Sequence, residues 1–167
     1  FGQIFATIAG YQHAVGKCII NLAADLQEPP HIINSMLECY HSEDVDIVIA
    51  VRNQRDESFF RKLTSNIFYW TIKKLSFRNM PIKGFDLVLQ DQKVKDHIVS
   101  SNDADPFWQG QLLWTGYKTK FIPYDRKRRI YGKSKWTFSK KLKYLLDGVM
   151  GYSFFPIRII TLIGLMI

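Results

Sequence analysis

A short apolar run that ends in an acid and two prolines constrains this chain more than any other stretch. It reads Ile19-Ile20-Asn21-Leu22-Ala23-Ala24-Asp25-Leu26-Gln27-Glu28-Pro29-Pro30. The run is apolar without alternation and too short to argue a helix, so it reads as a buried parallel strand. Proline fits the first turn of a helix, where its missing N–H has no intrahelical partner to lose. Beyond it, Ile32, Ile33, Met36, Leu37 and Tyr40 recur on one helical face. Asp25 therefore falls at a strand's carboxyl end just before a helix, where open α/β sheets bind ligands. A carboxylate and the Gln27 amide oxygen two residues on suit Mg²⁺ or Mn²⁺, hard cations often held by one or two carboxylates plus substrate phosphates. Asp25 suits a plain helix cap equally well, a role worth about 1 kcal/mol. This stretch alone leaves both roles open.

The pattern recurs along the chain. Phe1 to Gly16 has helical apolar spacing with small residues, suited to close packing on the first strand. A second apolar run, Val45 to Val51, is a strand candidate ending in Arg52, with Arg55 close behind. Phe60, Leu63, Ile67 and Trp70 then mark one face of a helix running to about Leu75. Met80 to Gly84 is loop material, Phe85 to Leu89 a strand, and Asp91 a cap for a short helix through Val99. After a polar loop at Ser101–Pro106, Phe107–Trp114 is expected to be helical and Tyr117–Tyr124 a strand. Strands alternating with helices imply an α/β fold with a mostly parallel sheet flanked by helices.

The 167 residues suffice for one domain with a sizeable core, and 47% hydrophobic content excludes a disordered tail. Cys18 and Cys39 read as buried thiols in a reducing compartment, because no spacing suggests a disulfide framework or a zinc site. The net charge of +8 is concentrated. Tyr117–Lys143 holds eleven Lys or Arg against one acid, Asp125, which leaves the remainder close to −2. Such a segment faces something anionic: phosphate, nucleic acid or a membrane surface.

Within it, 125–135 has no apolar period and reads as a basic loop. Phe138, Leu142, Leu145, Leu146 and Val149 then line a helical face with Lys140, Lys141 and Lys143 off it. A basic amphipathic helix leading into an apolar run is expected of an interfacial helix before a membrane anchor. The fourteen residues 154–167 are too few to span a bilayer, which takes about 20. Both ends look cut, so a fragment of a longer protein is expected. Three divisions follow: a catalytic domain over 1–136, an interfacial helix over 137–153, and the start of a membrane segment over 154–167.

Three chemistries compete for these residues. Gly132-Lys133-Ser134 matches the end of a P-loop, but the glycine required five positions earlier is Lys127, which excludes it. Tyr124, Tyr131 and Trp136 among cations resemble a single-strand platform. Yet no nucleic-acid module is recognisable and an apolar segment follows, so no nucleic-acid partner is expected. A nucleotide-sugar transferase needs a metal-binding acid at a strand end, a general base, and cations for phosphates. Asp25, Asp86 and the 126–135 segment supply these in order.

The blocks Ala24-Asp25-Leu26-Gln27-Glu28-Pro29-Pro30, Val51-Arg52-Asn53-Gln54-Arg55, Gly84-Phe85-Asp86 and Arg126-Lys127-Arg128-Arg129-Ile130-Tyr131-Gly132-Lys133-Ser134-Lys135-Trp136 together resemble a family 2 glycosyltransferase. The closer resemblance is to the polyprenyl-phosphate branch, which includes dolichyl-phosphate mannose synthase and bacterial undecaprenyl-phosphate glucosyltransferases. Asp147-Gly148 and Ser153–Arg158 resemble that branch's junction with its membrane helices. The resemblance implies a GT-A fold and inverting transfer from a UDP- or GDP-sugar to a polyprenyl phosphate. It implies Asp25 and Gln27 at a Mg²⁺ or Mn²⁺ site and Asp86 as the candidate base. Arg52, Arg55, Arg126, Arg129, Ser134 and Lys135 are implied at the donor and acceptor phosphates. It also implies an anionic membrane partner, a catalytic domain on the cytoplasmic side and a possible homo-oligomer.

Two departures stand out. The first position of the family's Asp-x-Asp motif is Ala23 here, and the family's first strand, with its Pro-x-Tyr-Asn-Glu signature, is absent from this sequence. A catalytically silent scaffold or partner subunit is the alternative that Ala23 keeps open.

Overall fold

The computed structural model describes residues 2–25, 27–53, 59–77, 79–81, 84–101, 107–127 and 137–166. In chain order the elements are α1 (Gln3–His13), β1 (Cys18–Asn21), α2 (Ile32–Ser42), β2 (Ile47–Arg52), α3 (Phe59–Leu75), β3 (Leu87–Asp91), α4 (Gln92–Ser100), α5 (Trp108–Trp114), β4 (Thr119–Tyr124), α6 (Phe138–Tyr152) and α7 (Phe155–Met166).

The strands form one sheet in the order β1-β3-β2-β4. It is mixed rather than mostly parallel: β2 and β4 pair in parallel, while β3 runs against both β1 and β2. Gly84 has φ +64, a left-handed conformation that costs a side chain, and a Cβ there would also collide with the ring of Tyr69. Its N–H donates to the Pro81 carbonyl at 2.8 Å, closing a turn. The chain thus enters β3 at the edge where β1, β2 and β4 end. β1 is shorter than its apolar run and half-buried throughout, because β3 is its sole neighbour among the described strands.

Strand alternation divides the core in two. On one face, Val48, Ala50, Leu87 and Leu89 are covered by Ile32 and Met36 of α2. On the other, Ile47, Ile49 and Val88 pack with side chains from α1, α3, α4 and α5, and with Phe77, Met80, Phe85 and Phe107. Asp91 caps α4 as its sequence position predicts, accepting from the Lys93 N–H at 2.9 Å, and Tyr40 donates to its other oxygen at 2.6 Å. Cys18 and Cys39 are free thiols, half-buried rather than enclosed.

The apolar stripe of α3 does not face the core. Leu63, Ile67 and Trp70 are exposed, and the side chain of Phe60 lies outside the described residues. The inward row is Phe68 and Ile72, with Ser76 just past the helix end, set against Tyr144 and Gly148 of α6. Phe68 stacks parallel to Tyr144 at 6.2 Å, and the Ser76 hydroxyl donates to the Gly148 carbonyl at 3.4 Å. A Cβ on Gly148 would lie 3.0 Å from Ile72 Cδ1, so glycine there lets the two helices approach. Two rows at four-residue spacing fit ridge into groove, and this fit, not hydropathy alone, decides the buried side.

α6 also turns Leu145 and Val149 to the core while Leu142, Leu146 and Met150 stay exposed, and no residue of α7 is buried. Among the described residues no single helix is long and apolar enough to cross a membrane. Ser139–Tyr152 and Phe155–Met166, bent by 74°, meet that requirement only as a pair.

Candidate active site

The fold brings four predicted residues to one edge of the sheet. Asp25 follows β1, Arg52 ends β2, Asp86 precedes β3 and Arg126 follows β4. Because β3 is antiparallel, its beginning lies beside the ends of the other three strands. Asp86 is therefore a strand-end acid in the opposite sense to Asp25, yet it occupies the same rim.

Arg126 is the centre of the cluster. Its Nη2 lies 4.0 Å from Asp25 Oδ2 and 3.7 Å from Glu28 Oε1, and its Nη1 lies 3.8 Å from Asp86 Oδ2. Asp86 is also ion-paired with Arg52. Asp86 is the most open of these groups, with 41% of its side chain exposed, whereas Arg52 is largely enclosed. Burial pulls the Arg52 guanidinium below its usual pKa, and the Arg126 charge adds to that shift. Burial pushes the Tyr124 phenol up, against the pull of Arg52. The backbone around Asp86 is fixed from two sides: Asn21 Nδ2 donates to the Asp86 carbonyl at 3.5 Å, and the buried Gln109 of α5 donates to the Phe85 carbonyl.

Asp25 does not cap α2. That helix begins at Ile32 behind His31, without a side-chain cap, and Asp25 Oδ1 accepts instead from the Gln27 N–H at 3.3 Å. The Gln27 side chain reaches across to donate to the Lys127 carbonyl at 3.1 Å, and the Lys127 N–H donates back to the Gln27 carbonyl at 2.9 Å. The turn after β1 and the segment after β4 are thus fastened together. Arg55, Arg129, Ser134 and Lys135 lie outside the described residues, as does the rejected P-loop match.

Sequence reasoning missed Glu28, Asn21 and Gln109, and singled out Tyr124 only for the nucleic-acid reading. The Glu28 side chain is fully enclosed, and its Oε2 accepts from the Ala23 N–H at 3.0 Å. Burial pushes its carboxyl above the usual range, opposed by the Ala23 N–H and by Arg126. Its nearest sequence signal was only its place three residues after Asp25 and before Pro29.

The charge balance states what the site can hold. Arg52 and Arg126 face three carboxylates, Asp25, Glu28 and Asp86, so the described cluster is one charge negative when all are ionised. A diphosphate placed there requires further cations. Among the described residues no group of three His, Cys, Asp or Glu can hold a metal ion. Asp25 does fit the other kind of seat, one accessible carboxylate completed by substrate phosphates.

The strand ends of this mixed sheet thus carry a rim in which two guanidiniums meet three carboxylates. No family model matches the chain. Over 167 residues it is 34% identical to the uncharacterized glycosyltransferase YkcC of Bacillus subtilis, covering 99% of this chain and 51% of that protein. It is 33% identical to the prophage bactoprenol glucosyl transferase homolog of Escherichia coli, covering 100% and 55% respectively. Against the bactoprenol glucosyl transferase of Shigella phage SfV it is 31% identical, covering 100% and 54%. The chain spans about half the length of these relatives. Along its whole length it is related to bacterial glycosyltransferases, bactoprenol glucosyl transferases among them.

Proposed function

We propose that this chain carries the catalytic site of a glycosyltransferase that moves a sugar from a nucleotide-diphosphate sugar to a membrane polyprenyl phosphate, with inversion at the anomeric carbon. The observation that carries this reading is the convergence of Asp25, Arg52, Asp86 and Arg126 on one rim. Relatives named bactoprenol glucosyl transferases support the acceptor.

In a single displacement, an acceptor phosphate oxygen attacks the anomeric carbon as the bond to the nucleoside diphosphate breaks. A phosphate oxygen is already ionised near neutral pH, so little deprotonation is required. Asp86, held between two guanidiniums, is suited to orient the acceptor and stabilise positive charge developing on the sugar ring. Arg126 and Arg52 are suited to bind phosphate oxygens as fixed, bidentate donors. Mg²⁺ or Mn²⁺ at Asp25, with Gln27 beside it, supplies neutralisation of the leaving diphosphate when bound. Arg55, Arg129, Ser134 and Lys135 are assigned to the same phosphates from their motif positions.

A groove of about 520 Å³ opens beside the rim, lined by Arg52, Asn53, Met80, Phe121 and Pro123 among others. Apolar walls next to a cation suit the tail and head of a lipid phosphate. The exposed apolar rows of α6 and α7, with Lys140, Lys141 and Lys143, support seating on an anionic membrane at about 1 kcal/mol per cation. Positive charge beside an apolar segment favours the cytoplasmic side.

Ala23 supports a second reading, a silent scaffold of the same fold. The full-length protein in membranes, given short-chain polyprenyl phosphate, Mg²⁺ or Mn²⁺, and radiolabelled UDP- and GDP-sugars, separates the two. Label entering the lipid phase from one donor establishes the transferase. No transfer from any donor, with vesicle binding intact, establishes the scaffold.

A further inference from the structure

We propose that Glu28 is a positioning residue that holds the Arg126 guanidinium in the phosphate site from its enclosed side. The inference rests on the reading of the rim as a phosphate site. An enclosed carboxylate is expensive unless a charge partner requires it. The turn that presents Asp25 does not require the charge: the bond from the Ala23 N–H to Glu28 Oε2 needs only an acceptor oxygen, which a glutamine also offers. The other oxygen, Oε1, is buried, has no hydrogen-bond partner among the described residues, and faces Arg126 Nη2 at 3.7 Å. Arg126 Nε is likewise buried without a hydrogen-bond partner among the described residues.

The backbone completes the device. Gln27, adjacent to Glu28, is fastened at both its carbonyl and its side chain to Lys127, adjacent to Arg126. Turn and arginine are therefore held in register by main chain and by charge. Asp25 and Asp86, the other two partners of Arg126, are partly exposed and lie where ligand oxygens arrive. A diphosphate that takes over their contacts leaves Glu28 as the fixed counter-charge behind the guanidinium among the described residues. Arg126 then binds phosphate without searching its rotamers, which lowers the entropy lost on binding.

The test is a double-mutant cycle on the full-length protein, reading Mg²⁺-pyrophosphate binding by calorimetry. Glu28→Gln is expected to weaken binding about 10-fold, the size of one charge-assisted contact. In an Arg126→Ala background the same change should cost less than about 2-fold, because the group it acts through is gone. Donor KM should rise with kcat little changed. Equal losses in both backgrounds would overturn the inference and make Glu28 a prop for the turn alone. If Glu28→Gln does not fold, Glu28→Asp, which keeps the charge but shortens its reach, enters the same cycle with the same expectation. Wild-type protein that binds no pyrophosphate would instead overturn the phosphate reading of the rim. Binding with additive losses overturns only the role of Glu28.

Discussion

The strand-end rim and the C-terminal helices break the burial rule in opposite senses. At the rim the chain encloses charge: the Glu28 carboxylate is sealed and Arg52 is nearly so. On α6 and α7 it leaves Leu146, Met150, Ile160 and Leu165 exposed. Between them lies an ordinary core, with Ile47, Val48, Ile49, Leu87, Val88 and Leu89 fully buried. On the proposed reading the first departure serves phosphates and the second an apolar membrane surface.

The largest effect should come at the rim. Asp25→Ala is expected to lower sugar transfer about 10²–10³-fold, the cost of one lost electrostatic element, with thermal unfolding little changed. An unfolding shift as large as the activity loss would erase the distinction between rim and core.

The core should respond in stability. Gly84→Ala puts a Cβ into the Tyr69 ring at positive φ, and a loss of about 2–4 kcal/mol in denaturant unfolding is expected. Asp91 lies at the other end of β3 from the rim, and Asp91→Ala should cost about 1 kcal/mol as a lost cap. Its pH dependence has a definite sign. Burial raises the Asp91 carboxyl, but the Tyr40 hydroxyl and the Lys93 N–H outweigh it and leave it below the usual value. The cap's stabilisation is thus present above the unfolded carboxyl's pKa of about 3.9 and fades as pH falls through the lower folded value. The gap between wild type and Asp91→Ala, followed by urea unfolding from pH 6 downward, should close only in that acid range.

The smallest stability effect belongs to the C-terminal helices. Leu146→Glu should change unfolding by less than about 0.5 kcal/mol, because the side chain is already exposed. It should nevertheless weaken sedimentation with anionic vesicles. Unchanged vesicle binding would remove the membrane role from that face of α6.

Much of this was legible in the sequence. The order of strands and helices, the Asp91 cap and the strand-end position of Asp25 followed from apolar runs and turn residues, whereas Arg126 was singled out through the resemblance of its motif. The direction of β3 did not, because it depends on where the chain re-enters the sheet and not on β3's own apolar residues. The buried face of α3 was not legible: Leu63, Ile67 and Trp70 carry a good apolar period, whereas the close fit of Phe68, Ile72 and Ser76 to α6 is a tertiary fact. Glu28 was missed for the same reason: a glutamate before two prolines reads as solvated until Arg126, about a hundred residues on, closes over it.

The central claim is that the rim performs chemistry rather than holding the fold. The most direct measurement is single-turnover transfer of labelled sugar to polyprenyl phosphate by full-length wild type and Asp86→Asn, at saturating donor, with donor affinity and thermal unfolding measured on the same preparations. The account predicts a rate about 10²-fold lower in Asp86→Asn, with donor affinity and unfolding nearly unchanged. Transfer at the wild-type rate, or parallel losses of rate, donor binding and stability, would contradict it.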